Sequence, residues 1–164
     1  DSSTSRGLGD VYKRQISQAL PGDNVGLNIK GLDKKNMPKI GDVIYIEKEN
    51  ILKPVKEFRA QVAVQEHPGQ LKIGYSPLVH VRTSKASCKM SQILWKTNKK
   101  SGGEKIVNPP FLEAGDAAEI VFEPKQGLYL ESYEDCPGIG RIAVMDSNQL
   151  AMMGKVLDVK YETD

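Results

Sequence analysis

"EFRAQVAVQE", residues 57–66, places Phe58, Ala60, Val62 and Val64 at every second position, with charged and amide side chains between them. Successive side chains of an extended chain point to opposite faces, so this spacing predicts a strand with one face buried; the period is two, not 3.6. The same period recurs downstream in "SPLVHVRT" from Ser76, "ASCKMSQILWK" from Ala86, "GLYLES" from Gly127, "GRIAVMD" from Gly140 and "MGKVLDVKYE" from Met153. Turn signals separate the runs: His67-Pro68-Gly69, Ser101-Gly102-Gly103, Asn108-Pro109-Pro110, Gly115-Asp116 and Pro137-Gly138. Short runs punctuated in this way predict an all-β barrel or sandwich.

Three runs share an opening. "ALPGDNVGLNIKGL" from Ala19, "KIGDVIYIEK" from Lys39 and "LEAGDAAEIVFEP" from Leu112 each set a Gly-Asp step before alternating apolar residues. Gly accepts backbone angles that a Cβ resists, and Asp bonds its own backbone, so each step predicts a tight turn leading into a strand. Pro54, within "LKPVKEF", marks a boundary. Residues 56–164 then hold six or seven strands, enough to close a barrel, whereas 16–53 hold only three. The expected architecture is all-β: the C-terminal part of one β-barrel over 16–55, followed by a complete antiparallel, Greek-key-like barrel over 56–164. The first fifteen residues, "DSSTSRGLGDVYKRQ", show neither period and read like a translated sequencing-adaptor scar, expected to be disordered and not native to the fold.

Composition narrows the class. With 164 residues, 39% hydrophobic and 27% charged, the chain reads as a soluble globular protein. No apolar run has the length of a membrane span, and nothing at the start resembles a signal peptide. Two cysteines are too few for a disulfide framework, so the expected setting is reducing and cytoplasmic. The net charge of +2 conceals an asymmetry: residues 56–105 carry ten Lys and Arg against three acids, while 106–164 carry four against eleven. That division predicts one basic and one acidic face.

"ALPGDNVGLNIKGL", "HPGQLKIGYSPLVHVRTSKASCKM", "FLEAGDAAEIVFEP" and "GIGRIAVMDSNQLAMMGKV" together resemble, in order, the C-terminal half of eukaryotic-type translation elongation factors. These are elongation factor 1-alpha and its divergent relative, elongation factor-like protein. The resemblance runs from Ile16 to Glu162. It implies that 16–55 end the second domain of such a factor and that 56–164 are its third, both translation-factor barrels. It also implies a role in delivering aminoacyl-tRNA to the ribosome in a GTP-bound form, with the third barrel along the T-stem and against the factor's own GTPase domain. A guanine nucleotide exchange factor is a further implied partner. GTP and Mg²⁺ would belong to the GTPase domain, because this sequence has no G-x-x-x-x-G-K-[ST] loop and no Asn-Lys-x-Asp. Met145 and Asn148 stand where elongation factor 1-alpha usually has basic residues, which favours elongation factor-like protein.

A carrier that accepts every elongator tRNA should grip RNA through phosphates and 2′-hydroxyls, which carry no sequence. Exposed cations beside small polar side chains suit that task, and Arg82, Thr83, Ser84, Lys85 and Lys89 supply them; a solvated loop is the plainer reading of the same run. Gly154 and Lys155 lie in the other segment that resembles a backbone-contact site, and a strand-interior Gly marks either a close approach or a barrel corner. The "SGGEK" tip after "NKK" is basic and expected to be mobile, with partner binding there the less favoured reading. His67, His80, Cys88 and Cys136 fit no zinc spacing, and no nucleophile is supported by an orienting group. A second reading stays open from the residues: a paralogous barrel used in ribosome rescue, or a protein-interaction module.

Overall fold

The computed structural model describes residues 15–35, 37–44, 53–66 and 69–162. The expected scar therefore falls almost wholly outside the described residues. The chain divides into two units, Asp1–Met37 and Pro38–Asp164.

The three Gly-Asp steps fold as the same turn. Asp23 N donates to Leu20 O at 3.1 Å while Leu20 N donates to Asp23 Oδ2 at 2.9 Å. Lys39–Asp42 repeats this pair of bonds at 3.0 and 2.7 Å, and Glu113–Asp116 at 3.1 and 2.8 Å. The glycine in each has φ near +90°: 97° at Gly22, 99° at Gly41 and 86° at Gly115. A turn with positive φ at its third residue needs glycine there, and the carboxylate then caps the amide that opens the turn.

Only the third turn leads into a described strand. Residues 15–35 and 37–44 form no ladder, and Val25, Leu27 and Ile29 are exposed rather than lining a buried face. Alternation suits a segment to a sheet, but a strand exists only when a second one satisfies its N–H and C=O groups, and none of the described residues does so here.

The described residues form nine strands: β1 (Val55–Val64), β2 (Leu71–Lys72), β3 (Leu78–Val81), β4 (Ser84–Thr97), β5 (Ile106–Val107), β6 (Phe111–Leu112), β7 (Ala117–Pro124), β8 (Arg141–Asp146) and β9 (Gln149–Tyr161). The main sheet runs β3-β8-β9-β1-β7-β4-β5, and β3 also pairs with β4, which closes six antiparallel strands on themselves. β1 is thus flanked by β9 and β7, both distant in sequence, in a Greek-key-like order, while β2 and β6 form a separate short pair.

Phe58, Ala60, Val62 and Val64 are buried, as their spacing predicts. Phe58 stacks on Phe122 of β7 with ring centroids 5.3 Å apart, directly across the ladder. Such a pair adds about 1 kcal/mol beyond its buried area. Irregularities in the ladder correct the simple alternation elsewhere. A register shift between Met90 and Gln92 turns Ile93 inward, and one between Val144 and Met145 buries both Ala151 and Met152. Each shift inserts an unmatched residue and changes which parity faces the core.

Candidate nucleic-acid interface

The "VRTSKASCKM" run forms the β3–β4 hairpin, and its geometry sorts the expected contact residues. Val81 opposes Ser84, so Arg82 and Thr83 make the two-residue turn, with Arg82 at φ 50°. Val81 is buried and Ser84 shares its side of the sheet, half-buried at the barrel rim. Lys85 opposes His80 and is exposed, and Lys89 lies farther along the same outer face beside Glu123 of β7. Lys39–Asp42 covers part of Ser84: a Cβ at Gly41 would lie 2.8 Å from Ser84 Cα. Arg82 is exposed, yet its Nε donates to Gly138 O at 2.9 Å, which ties the hairpin to the loop before β8.

Gly154 and Lys155 point in opposite directions. Gly154 opposes the inward residues Val62 and Ile142, and a Cβ there would come 2.2 Å from Gln61 O. The close approach that its position suggested is thus to β1 of the same barrel. Lys155 faces outward between Gln61 of β1 and Arg141 of β8. Leu78, Val79 and His80 pair with Met145, Val144 and Ala143, and just past the end of β3 the Arg82 side chain reaches Gly138 of the loop that leads into Arg141. Lys85, Arg141 and Lys155 thus share the outer side of the sheet on β4, β8 and β9, with Arg82 at the β3–β4 turn beside them.

Arg141 and Tyr133 were not among the residues singled out from the sequence. Arg141 Nη2 donates to Tyr133 Oη at 2.8 Å, and its guanidinium carbon lies 5.2 Å from the ring centroid. Lys155 Nζ lies 5.9 Å from the same ring. The hydrogen bond and charge of Arg141, with a smaller contribution from Lys155, hold the Tyr133 phenol below its usual range despite slight desolvation. Alternation in "GRIAVMD" marks Arg141 as outward, but no local signal says which strand lies beside it. Met145 faces outward next to Leu78 and Leu150, while Asn148 sits in the Ser147-Asn148 turn, both residues at positive φ, that joins β8 to β9. That is the geometry of a two-residue hairpin whose twist matches its strands.

The division into one basic and one acidic face does not hold. Arg59 meets Glu119 at 3.1 Å, Lys96 meets Asp116 at 3.2 Å and Lys89 stands beside Glu123, each joining the basic segment to the acidic one. Antiparallel pairing interleaves strands from both segments, so the local charge follows the register rather than the sequence interval. Arg141 and Lys155, from the acidic segment, complete the basic cluster.

The sequence has no phosphate-binding loop, and among the described residues no group of three or more His, Cys, Asp or Glu could hold a metal ion. His67 lies outside the described residues; His80 is half-buried on β3, Cys88 is buried in the core and Cys136 lies in the loop before β8. Among the described residues, no helix is long and apolar enough to cross a membrane.

Comparison with known proteins agrees with this architecture. Elongation factor 1-alpha of Methanocella arvoryzae is 38% identical over 92% of this chain and 35% of its own length. That of Serendipita indica is 35% identical over 92% of the chain and 32% of its own length. The chain thus spans about a third of the length of these relatives. The crystal structure of sup35 complexed with GMPPNP superposes with a TM-score of 0.62 at 26% identity, covering 70% of this chain and 28% of that one. The family described as GTP-eEF1A C-terminal domain-like matches residues 57–157, from the third position of β1 to the second half of β9. On that match and this barrel, the chain belongs to the GTP-eEF1A C-terminal domain-like family, the C-terminal part of elongation factor 1-alpha-type proteins.

Proposed function

We propose that this barrel binds the phosphate backbone of double-helical RNA, as the portion of a translation elongation factor that lies along aminoacyl-tRNA. The observation that carries the reading is that Lys85 of β4, Arg141 of β8 and Lys155 of β9 share one outer side of the sheet, with Arg82 in the β3–β4 turn at its edge. A-form RNA presents phosphates and 2′-hydroxyls across a wide, shallow groove, and cations spread over a curved sheet can meet them without reading bases. Thr83 and Ser84 add hydroxyls at the rim, Lys89 extends the surface along β4, and Gly154 lets β9 lie close enough to β1 to present Lys155. In this reading the whole factor works in the cytoplasm, with the ribosome, its own GTPase domain and an exchange factor as partners. GTP and Mg²⁺ are held by that GTPase domain.

The test is binding of a short RNA duplex at low salt, followed by fluorescence anisotropy across a salt series. Affinity should fall steeply with salt, because each neutralised phosphate releases counterions. Replacing Arg82 and Lys85 together with Ala should lower the salt slope by roughly one unit for each lost contact. Changing the RNA sequence at constant helical form should leave binding unaltered. A double variant with unchanged affinity and slope would show that the hairpin is merely a solvated loop.

A further inference from the structure

We infer that Arg141 and Lys155 form a phosphate-binding pair, and that Tyr133 is the residue that positions them. The inference rests on the RNA reading above and adds to it Tyr133 and the pairing of two of its cations. Arg141 and Lys155 oppose each other directly across the β8–β9 ladder. Like charges in that relation are destabilising. Among the described residues neither forms an ion pair with a carboxylate. Both instead lie over the Tyr133 ring, the Arg141 guanidinium carbon 5.2 Å and the Lys155 ammonium 5.9 Å from its centroid.

The ring is held from the backbone. Tyr133 N donates to Val156 O at 2.9 Å, and Val156 N donates to Gly140 O at 2.7 Å. Val156 therefore marks where β9 passes its hydrogen bonds from β8 to the segment carrying Tyr133. The two partners touch there: a Cβ on Gly140 would lie 2.4 Å from Tyr133 Cα, so only glycine admits this crossing. The phenol then fixes the guanidinium through a 2.8 Å bond. One of the five guanidinium N–H groups is spent on the phenol, leaving a fork that can grip phosphate oxygens, with the ammonium beside it. Neighbouring Arg82, tied to Gly138 of the same loop, makes the next contact along an RNA strand.

The experiment uses the whole chain and the same RNA duplex, with Arg141→Ala, Lys155→Ala, Tyr133→Phe and Tyr133→Leu measured across the salt series. Arg141→Ala and Lys155→Ala should each lower the salt slope by about one unit. Tyr133→Phe, which keeps the ring but drops its bond to Arg141, should weaken binding less than Tyr133→Leu, which should approach the loss seen for Arg141→Ala. Arg141→Lys, which keeps the charge and removes the fork, should retain the slope at reduced affinity, and it guards against an unfolded Arg141→Ala. If Arg82→Ala with Lys85→Ala lowers the slope while Arg141→Ala and Lys155→Ala leave it unchanged, the pair is overturned and the RNA reading stands. If none of these substitutions changes the slope, the RNA reading itself fails. Tyr133→Leu with the affinity of the parent chain would overturn the positioning role alone.

Discussion

Lys96 Nζ lies 3.2 Å from Asp116 Oδ2, and both side chains are almost wholly removed from solvent. The ammonium also donates to Phe111 O at 3.0 Å and stands 4.6 Å from the Phe111 ring. The carboxylate accepts in addition from Asn98 Nδ2 at 3.1 Å and from the Glu113 amide at 2.8 Å. The Gly115-Asp116 turn thus does more than start β7: its carboxylate locks the far end of β4 to the loop before β7.

Asp116→Asn should destabilise the barrel by about 3–5 kcal/mol, because it leaves a buried ammonium without its counter-charge. Burial pushes the Asp116 carboxyl up, but bonds from Glu113, Asn98 and Lys96 outweigh it and hold the group below its usual value. A depressed folded value means that the stabilisation is complete above the unfolded value of about 4 and is lost as pH falls through the folded one. Urea unfolding between pH 2 and pH 7 should therefore show an acid-side loss in the parent chain that is smaller in Asp116→Asn. Equal stability of the two at neutral pH would count against the lock.

Gly154→Ala should be strongly destabilising. Its Cβ would meet Gln61 O at 2.2 Å and Val62 Cα at 2.9 Å, both backbone atoms of β1, so β9 must move away from its partner. Overpacking of this kind costs about 1–3 kcal/mol or more. Gly127→Ala, where nothing lies within 4 Å, is the matched control and should change stability by about 0.5 kcal/mol at most. Similar melting temperatures for both variants would refute the close approach.

The two thiols should differ sharply. Cys88 is buried on β4, and burial pushes its thiol up to about 12, while Cys136 is partly exposed. A thiol reagent at pH 8 should consume one thiol in the folded chain and two in denaturant. Because the folded value of Cys88 is raised, its contribution to stability is complete below the unfolded value of about 8.5 and is lost as pH rises from there toward 12. Rapid reaction of both thiols under native conditions would contradict the burial.

Tyr133 should ionise before Tyr75 and Tyr161 in a phenol titration followed by NMR. Arg141 and then Lys155 favour its phenolate, whereas burial first, and acids nearby second, push the other two phenols up. For Tyr75 the nearby acid is Asp146; for Tyr161 the acids are Glu131 and Asp135. Arg141→Ala should move Tyr133 upward and leave Tyr75 and Tyr161 in place. An unchanged Tyr133 titration would mean that the guanidinium does not hold the phenol in solution.

Local chemistry alone made several features legible. Alternation identified the buried face of β1, since side-chain direction in an extended chain is decided by neighbours two residues apart. The Gly-Asp turns were equally readable, because a positive φ and a side chain bonded to its own backbone need nothing beyond four residues. The cations of the β3–β4 hairpin and Lys155 were visible as residue types, with their placement implied by family resemblance.

The tertiary structure decided what depends on pairing between distant segments. Residues 19–32 alternate as clearly as β1 does, yet form no described strand, because only a partner can satisfy an extended backbone. Ile93 faces the core through a register shift that no local pattern announces. Arg141 meets Lys155, and both meet Tyr133, only because β8 gives way to the loop segment beside Val156. Sequence alone determined which faces were apolar and where the chain turned; long-range ladder register decided which charges became neighbours, because hydrogen-bond pairing between strands, not their separation along the chain, sets distance across a sheet.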